Sequence, residues 1–279
     1  MPINQLTYEG FGFLAGGFSP SNIDGLLLWV NADAANVNTG SPNDLDAVDV
    51  LENLGTGATN ATQTDSARRP IWNSTGFGTK SKPYLKFQNI YYLTLGTEYS
   101  KLEQHTVFYV FELDADGIQQ AIIAEKSSVL NDSESTGITK TVRTDDKLFY
   151  SFGVTGSTHS SGESATLLAS TPYINVETYT TGDTFTVDTV NGAVASRTPF
   201  FSTNPATSIG GTKSNLNIGR LGDATQGDYL NGKVAEVLIY DSPLTSAQIQ
   251  SVDDYLTTKY FGIPVGAFSN AFSNAFNIT

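Results

Sequence analysis

Short runs of alternating apolar and polar residues recur along most of this chain. Residues 105–112 (HTVFYVFE), 147–154 (KLFYSFGV) and 184–190 (TFTVDTV) alternate over seven or eight positions, and turn-forming Gly, Asn and Asp residues separate them. This period of two is typical of β-strands, and many short strands at close spacing predict a sandwich or barrel. Residues 120–126 (QAIIAEK) follow an Asp-Gly turn and predict a hairpin with the first run. Strands and helices do not alternate, so a parallel α/β fold is not expected.

The run at 233–240 (KVAEVLIY) is apolar on both of its sides. Strict alternation predicts two faces, one with Val234, Leu238 and Tyr240 and the other with Ala235, Val237 and Ile239. A strand of this kind is covered on both faces, so it belongs inside a layered structure. The Asn231-Gly232 pair just before it predicts a two-residue hairpin turn.

A helix is predicted at about 245–261 by several agreeing local signals. Thr245 is a suitable N-cap with Gln248 three residues later, and Leu244 and Ile249 occupy the positions of a hydrophobic staple. Gly262 and a following proline end the helix. One apolar stripe at helical spacing is formed by Ile249, Val252, Leu256 and Tyr260.

Several segments together resemble a known family. The residues concerned are 25–33 (GLLLWVNAD), 60–63 with 69–70, 83–95 (PYLKFQNIYYLTL), 190–192, 216–220 (LNIGR) and the final strand and helix. In this order they resemble a laminin-G-like, concanavalin A-like sandwich domain, as found in phage virion structural proteins. The resemblance implies an all-β, antiparallel jelly-roll sandwich with one C-terminal helix. It divides the chain into a Gly/Phe-rich arm at 1–21, a sandwich at 22–263, and a tail at 264–279.

Composition narrows the function classes. The formal net charge is −13, from 15 basic and 28 acidic residues, and such a field disfavours nucleic acid as a partner. There is no cysteine, which excludes disulfides and cysteine-based sites. No apolar run is long enough for membrane insertion, and the first 20 residues lack a secretory signal. We therefore expect synthesis in a cytoplasm, followed by retention there or by release through cell lysis or as part of a particle. The resemblance to phage virion proteins implies a host cytoplasm and localisation in a virion.

Candidate catalytic and metal sites are weak. The paired carboxylates of a glycoside hydrolase are missing, because Glu236 and Asp241 are five residues apart on a strand and face opposite sides. We interpret Glu236 as a structural carboxylate that is either hydrogen-bonded within the sheet or paired with a cation such as Arg220. The two histidines, His105 and His159, lie in no nucleophile motif. We expect no enzyme activity and no cofactor. Calcium is left open, with candidate loop acids at Asp145, Asp146, Asp223 and Asp228, none of them assignable to one site.

Exposed aromatic residues are the candidates for sugar binding. Trp72, Tyr91 and Tyr92 are predicted to stack on a glycan, whereas Trp29 is expected in the core. The alternative for Trp72 is packing against the loop that holds it.

Both ends of the chain carry regularly spaced phenylalanines that need a covering surface. Either the arms fold back on their own domain, or they dock on other virion proteins and on further copies of the chain. The residues concerned are Phe11, Phe13, Phe18, Phe268, Phe272 and Phe276.

These observations predict a non-enzymatic virion structural protein, a capsid decoration, head-fibre or tail-associated component, with possible adhesion to host glycans. The alternative is a free carbohydrate-binding module or adhesin. A glucanase-like hydrolase is a third reading, which the missing carboxylate run disfavours.

Overall fold

The chain folds into two antiparallel sheets and one helix, as the sequence predicts. The computed structural model describes residues 17–99, 102–125, 137–154, 158–180, 187–191, 193–194, 198–199, 215–221 and 228–262. Within these residues the strands form two antiparallel β-sheets.

The strands of the first sheet are β1 (Leu26–Asn31), β4 (Ile71–Phe77), β5 (Lys82–Phe87), β7 (Gln104–Leu113), β12 (Pro172–Thr180), β13 (Val187–Val190), β14 (Ala193–Val194) and β17 (Gly232–Tyr240). Those of the second are β2 (Val50–Leu51), β3 (Ala61–Thr62), β6 (Leu93–Thr94), β8 (Gln120–Glu125), β9 (Thr139–Val142), β10 (Lys147–Val154), β11 (Thr158–Thr166), β15 (Thr198–Pro199) and β16 (Leu216–Ile218). The first sheet has the order β14-β13-β12-β7-β17-β5-β4, with β1 also paired to β17. The second sheet has the order β15-β11-β10-β9-β8-β16-β6-β3-β2. Helix α1 spans Ser246–Phe261. None of the described helices has the length and apolarity needed to cross a membrane.

Strand β17 is the centre of the molecule. It pairs along one side with β7, and along the other side with β5 in its first part and with β1 in its second part. Its inner face joins the core between the two sheets, and its outer face packs under α1. The prediction that this strand is covered on both faces is therefore confirmed.

A β-bulge corrects the predicted faces of β17. Its pairing with β7 shifts register between Val234 and Glu236. Val234 consequently lies in the inter-sheet core with Val237 and Ile239, while Ala235 lies with the residues under the helix. Strict alternation predicts Val234 on the face of Leu238 and Tyr240, and Ala235 on the face of Val237 and Ile239. Both assignments are wrong, because the extra residue of a bulge reverses the alternation beyond it.

Helix α1 follows its local sequence signals. The Thr245 side chain accepts from the backbone N–H of Gln248 at 3.3 Å, and the Gln248 side chain accepts from the backbone N–H of Thr245 at 2.9 Å. Gly262 ends the helix with φ of 68°. The predicted stripe of Ile249, Val252, Leu256 and Tyr260 is buried.

Two predicted hairpins are wrong. Strands β7 and β8 belong to different sheets, so the turn between them carries the chain across the sandwich. Likewise β16 and β17 belong to different sheets, and Gly232 is already paired in β17 rather than placed in a two-residue turn. Asn191 does turn the chain from β13 to β14, with φ of 50°. The polar stretch at 155–172 includes strand β11.

Candidate functional site

A cluster of two arginines and two tyrosines lies at one end of the short strands β6 and β16. We call Arg68, Tyr92, Arg220 and Tyr229 the arginine–tyrosine cluster. Tyr92 directly precedes β6, and Arg220 follows β16 after a single glycine. Because Leu93 of β6 pairs with Ile218 of β16, the two segments leave the sheet side by side.

Two backbone contacts and one glycine turn hold the cluster together. Tyr92 N donates to the carbonyl of Arg68 at 3.1 Å, and Arg220 forms an isolated β-bridge with Tyr229. Gly219 has φ of 85°, and a Cβ there would lie 2.4 Å from Cδ1 of Phe87. Only glycine fits this position without strain, so the turn that delivers Arg220 depends on it.

The Arg220 guanidinium lies against two tyrosine rings. Its Cζ is 4.6 Å from the ring centre of Tyr92 and 5.9 Å from that of Tyr229. Cation–π contacts at these distances are attractive. Arg220 is only 6% exposed, whereas both tyrosines are half-buried. The two rings therefore keep part of their surface in contact with solvent beside a buried cation.

The hydrogen-bonding capacity of Arg220 is not used up. Its Nε is buried and has no hydrogen-bond partner among the described residues, and no described carboxylate lies within ion-pair distance of it. A guanidinium presents five N–H donors, so the cluster can still offer donors to a ligand.

Arg68 adds a second cation to the cluster. Desolvation lowers the pKa of its guanidinium, but Tyr92, Tyr229 and Asp65 outweigh that effect and raise the pKa. Its Nε donates to Asp65 Oδ2 at 3.1 Å, in a pair whose side chains are 31% and 51% exposed. Exposed pairs of this kind bind weakly, so Asp65 is a partner that Arg68 can exchange.

The three predicted sugar-stacking residues lie in different environments in the structure. Trp72 is 5% exposed and belongs to the core, and its Nε1 donates to the carbonyl of Ala32 at 2.8 Å. The expectation of an exposed Trp72 is therefore wrong, since strand β4 turns the ring inward. Tyr91 is half-buried and packs against the inter-sheet core. Tyr92 alone of the three is part of the cluster.

The predicted assembly residues lie mostly outside the described residues. This applies to Phe11, Phe13, Phe268, Phe272 and Phe276. Phe18 is half-buried and meets Tyr255 of α1 edge-on, with ring centres 6.4 Å apart. For this residue the alternative of packing on its own domain describes what is seen.

A second polar cluster lies under α1, around Glu236. Trp29 Nε1 donates to Oε1 of this carboxylate at 2.6 Å, while Tyr260 Oη at 2.7 Å and Lys259 Nζ at 2.9 Å donate to Oε2. Lys259 also bonds Asp33 Oδ2 at 2.9 Å. The interpretation of Glu236 as a paired structural carboxylate is confirmed, but its cation is Lys259 and not Arg220. Trp29, expected in the core, is half-buried above this cluster.

Burial dominates the electrostatics of this second cluster. It raises the pKa of Glu236, against the lowering effects of Lys259 and of the hydrogen bonds from Tyr260 and Trp29. Burial lowers the pKa of Lys259, but the charge of Glu236 outweighs it and raises that pKa. Each oxygen of Glu236 already accepts a hydrogen bond, which suits a role in holding α1 on the sheet.

The remaining candidates do not form one site among the described residues, and Asp223 lies outside those residues. Burial lowers the pKa of His105 to about 4, so this histidine is neutral, with Nδ1 3.2 Å from the carbonyl of Leu102. Asp228 accepts from Gln119 Nε2 at 2.5 Å, and Asp146 accepts from the N–H of Gly117 at 2.6 Å. In the part of the chain that the structure describes, no three metal-ligating side chains come together.

Arg220, Arg68 and Tyr229 were missed as site residues by sequence reasoning. The one available signal was the arginine placed directly after a glycine at the end of LNIGR, in a strand-terminal loop. The signal was weak because the four residues come from three separate loops. Their meeting depends on how β6 and β16 pair.

Comparison with known proteins finds structures of similar fold but does not assign the chain to a family. No protein-family model and no curated protein matches the chain. A Trypanosoma rangeli sialidase with 2,3-difluorosialic acid is similar, with TM-score 0.52 and 13% identity over 92% of this chain and 36% of that chain. A botulinum neurotoxin type C structure, described in terms of interaction with two ganglioside molecules, has TM-score 0.50 and 11% identity over 85% of this chain and 53% of that chain.

A shorter match is the Ruminococcus gnavus sialidase CBM40 bound to alpha2,3 sialyllactose. Its TM-score is 0.43 at 12% identity, over 55% of this chain and 83% of that chain. The chain spans about a third of the length of the sialidase and about half of that of the toxin. At these identities the sialidase and toxin matches establish a shared β-sandwich fold, and function has to be argued from the site.

Proposed function

We propose that this chain is a non-enzymatic glycan-binding module and that its binding site is the arginine–tyrosine cluster. The observation that carries the proposal is the buried Arg220, whose Nε has no partner among the described residues and whose guanidinium lies against the half-buried tyrosines Tyr92 and Tyr229. Sugars are bound by the combination that this cluster offers, in which an aromatic face stacks on the ring and a fixed donor bonds its oxygens.

The location of the cluster also supports the proposal. It is built from loops at the ends of short strands, and in β-sandwich proteins such loops commonly carry recognition on a rigid scaffold. Gly219 and the bridge between Arg220 and Tyr229 fix the cluster without help from a ligand. A preorganised site of this kind loses little entropy on binding.

The test is binding of the full chain to a broad glycan array, followed by titration of the best ligand. Tyr92→Ala and Tyr229→Ala are expected to lower affinity at least tenfold, which corresponds to about 1.4 kcal/mol. The matched control is Tyr84→Ala, because Tyr84 is also half-buried and has Lys233 Nζ 5.1 Å from its ring centre, but lies on the first sheet. This control should bind within twofold of the unmodified chain.

Two results would refute the glycan proposal. One is the absence of binding to any glycan at millimolar concentration. The other is binding that survives both tyrosine variants unchanged. Release of reducing sugar from a bound glycan or a β-glucan would contradict the non-enzymatic part and revive the hydrolase reading.

The more specific proposal is that this module serves in a virion, as a decoration, head-fibre or tail-associated protein that also assembles with copies of itself. Its support is the sequence resemblance over 22–263 and the phenylalanine repeat at 264–279. Mass spectrometry of purified particles from the producing host should detect the chain in stoichiometric amounts. A free adhesin would instead be recovered away from particles.

The structure indicates which terminal residues can be removed to test the role of the arms. Tyr240 Oη donates to the carbonyl of Pro20 at 3.1 Å, and Phe18 contacts Tyr255, so a cut after residue 20 would damage the sandwich itself. Removal of residues 1–16 and 264–279 leaves both contacts in place. If gradient co-sedimentation with particles is unaffected by this truncation, the arms are not what attaches the chain.

A further inference from the structure

Two basic side chains, Lys140 and Arg220, are buried among the described residues. Lys140 has a carboxylate partner, with its Nζ 2.8 Å from Oε2 of the equally buried Glu177. Arg220 has no described carboxylate within ion-pair distance. Burial of a charge is strongly unfavourable unless an opposite charge or hydrogen bonds compensate for it, so the difference between the two residues calls for an explanation.

The tyrosines compensate Arg220 only in part. Tyr92 and Tyr229 supply cation–π contacts, but their rings cannot accept in-plane hydrogen bonds from the guanidinium edge. Nε is on that edge and has no hydrogen-bond partner among the described residues. Arg68, the second cation of the cluster, adds positive charge.

The described acidic residues near the cluster already have partners. Asp65 bonds Arg68 at 3.1 Å, and Asp228, next to Tyr229, accepts from Gln119 Nε2. The chain as a whole carries a net charge of −13, so a region where cations outnumber available carboxylates is unusual on it. An anion that reached this region would meet a planar set of donors already fixed in position.

We propose that the cluster recognises the anionic group of an acidic glycan, with Arg220 as the anion-binding residue and Tyr92 and Tyr229 as the stacking faces. This inference rests on the proposed glycan-binding function and names the substrate class of the same site. The anionic group is a carboxylate or a sulfate ester, because a guanidinium fork pairs with two oxygens of either in a bidentate manner.

The experiment compares acidic glycans with their neutral parent by isothermal titration of the full chain. The probes are lactose, sialyllactose, glucuronic-acid-substituted lactose and sulfated lactose, so that sources of the negative charge are separated. We expect at least one acidic probe to bind ten times or more tightly than lactose. We expect this preference to weaken as salt rises from 50 to 500 mM, because charge pairs are screened.

Three variants assign the preference to a residue. Arg220→Met should bring the acidic probe to within threefold of lactose, and Arg220→Lys should lose a large part of the preference, because lysine keeps the charge but not the fork. The matched control is Arg69→Met. Arg69 lies in the next loop position to Arg68 and has a carboxylate partner, Asp49, at 3.6 Å. This control should keep the acidic preference within twofold.

Folding of the variants is checked by circular dichroism and thermal melting. If Arg220→Met does not fold, Arg220→Lys and Arg68→Gln carry the test, and Arg68→Gln should lower acidic affinity about threefold. Equal affinity for acidic and neutral probes would overturn the inference while leaving glycan binding intact. The same holds for an acidic preference that survives every Arg220 variant. If no probe and no array glycan binds, the proposed function itself fails and the inference fails with it.

Discussion

Replacement of Lys259 by methionine tests the electrostatic account of how α1 is held on the sheet. Methionine keeps the length of the apolar stem but removes the charge that faces Glu236 Oε2 at 2.9 Å. At that distance, an effective dielectric constant of about 20 gives an attraction of about 6 kcal/mol. Part of it is offset by the cost of desolvating the lysine, and removal of one partner of a buried pair typically costs about 3–5 kcal/mol.

The second contact of Lys259 contributes little to that figure. Asp33 is 45% exposed, and pairs with exposed carboxylates contribute less than about 1 kcal/mol. We therefore expect Lys259→Met to lower the free energy of unfolding by about 3–5 kcal/mol at pH 8. For a chain of this size the melting temperature would fall by about 6–20 °C.

The pH dependence distinguishes this mechanism from simple loss of packing. Burial already raises the pKa of Glu236, and removal of Lys259 removes the main effect that lowers it. A carboxyl whose pKa is higher in the folded state takes up its proton there first, so the folded variant gains stability relative to the unfolded chain as pH falls. The deficit of Lys259→Met should thus be largest at pH 8 and clearly smaller at pH 5.

Urea denaturation followed by tryptophan fluorescence and circular dichroism at both pH values measures this deficit. Lys259→Met combined with Glu236→Gln should recover much of the loss, since no charge is then left buried. The control Lys147→Met removes an exposed pair with Asp145, 3.7 Å apart, and should change stability by less than about 0.5 kcal/mol. A deficit below about 1 kcal/mol at pH 8, or an equal deficit at both pH values, would refute the reasoning.

Three further predictions follow from buried or capping residues. Burial and the neighbouring Asp254 raise the pKa of Asp253 to about 6, and its Oδ1 lacks a partner among the described residues, so its ionised form destabilises the fold as pH rises through 6. Asp253→Asn should therefore gain roughly 1–3 kcal/mol at pH 8 and about half as much at pH 5 in urea denaturation; equal gains would argue against it. Trp72→Phe should cost roughly 1–3 kcal/mol by losing its hydrogen bond to Ala32, yet leave glycan affinity unchanged in the titration. Thr245→Ala should cost about 1 kcal/mol in the same denaturation assay, and Thr245→Ser should restore most of it.

Local interactions explain which predictions from sequence succeeded. The cap at Thr245, the stripe on α1 and the end at Gly262 all depend on residues within one helix, so their signals are contained in one short segment. The alternation in β10 is similarly local, and its predicted limits match the strand found at Lys147–Val154. Burial of β17 on both faces could also be predicted, because its own residues are apolar on both sides.

The failures involve partners that are distant in sequence. The bulge in β17 arises in its pairing with β7, more than a hundred residues earlier, and cannot be read from residues 232–240 alone. The assignment of β7 and β8 to opposite sheets has the same origin, because an Asp-Gly turn is compatible with a hairpin and with a crossover. The sequence leaves Trp72 open between sugar stacking and packing against its own loop, because a lone tryptophan in a polar loop carries no information on which way its strand faces.

The sequence alone was sufficient for the class of this protein, an acidic antiparallel β-sandwich closed by one capped helix, since hydrophobic period and helix caps are properties of neighbouring residues. The tertiary structure decided which cation neutralises Glu236 and which arginine has no described carboxylate partner. The contacts that compensate buried charges depend on distances of a few ångströms between side chains far apart in the chain, here Trp29 with Glu236, and Tyr92 with Arg220. Those distances exist only after the strands have paired.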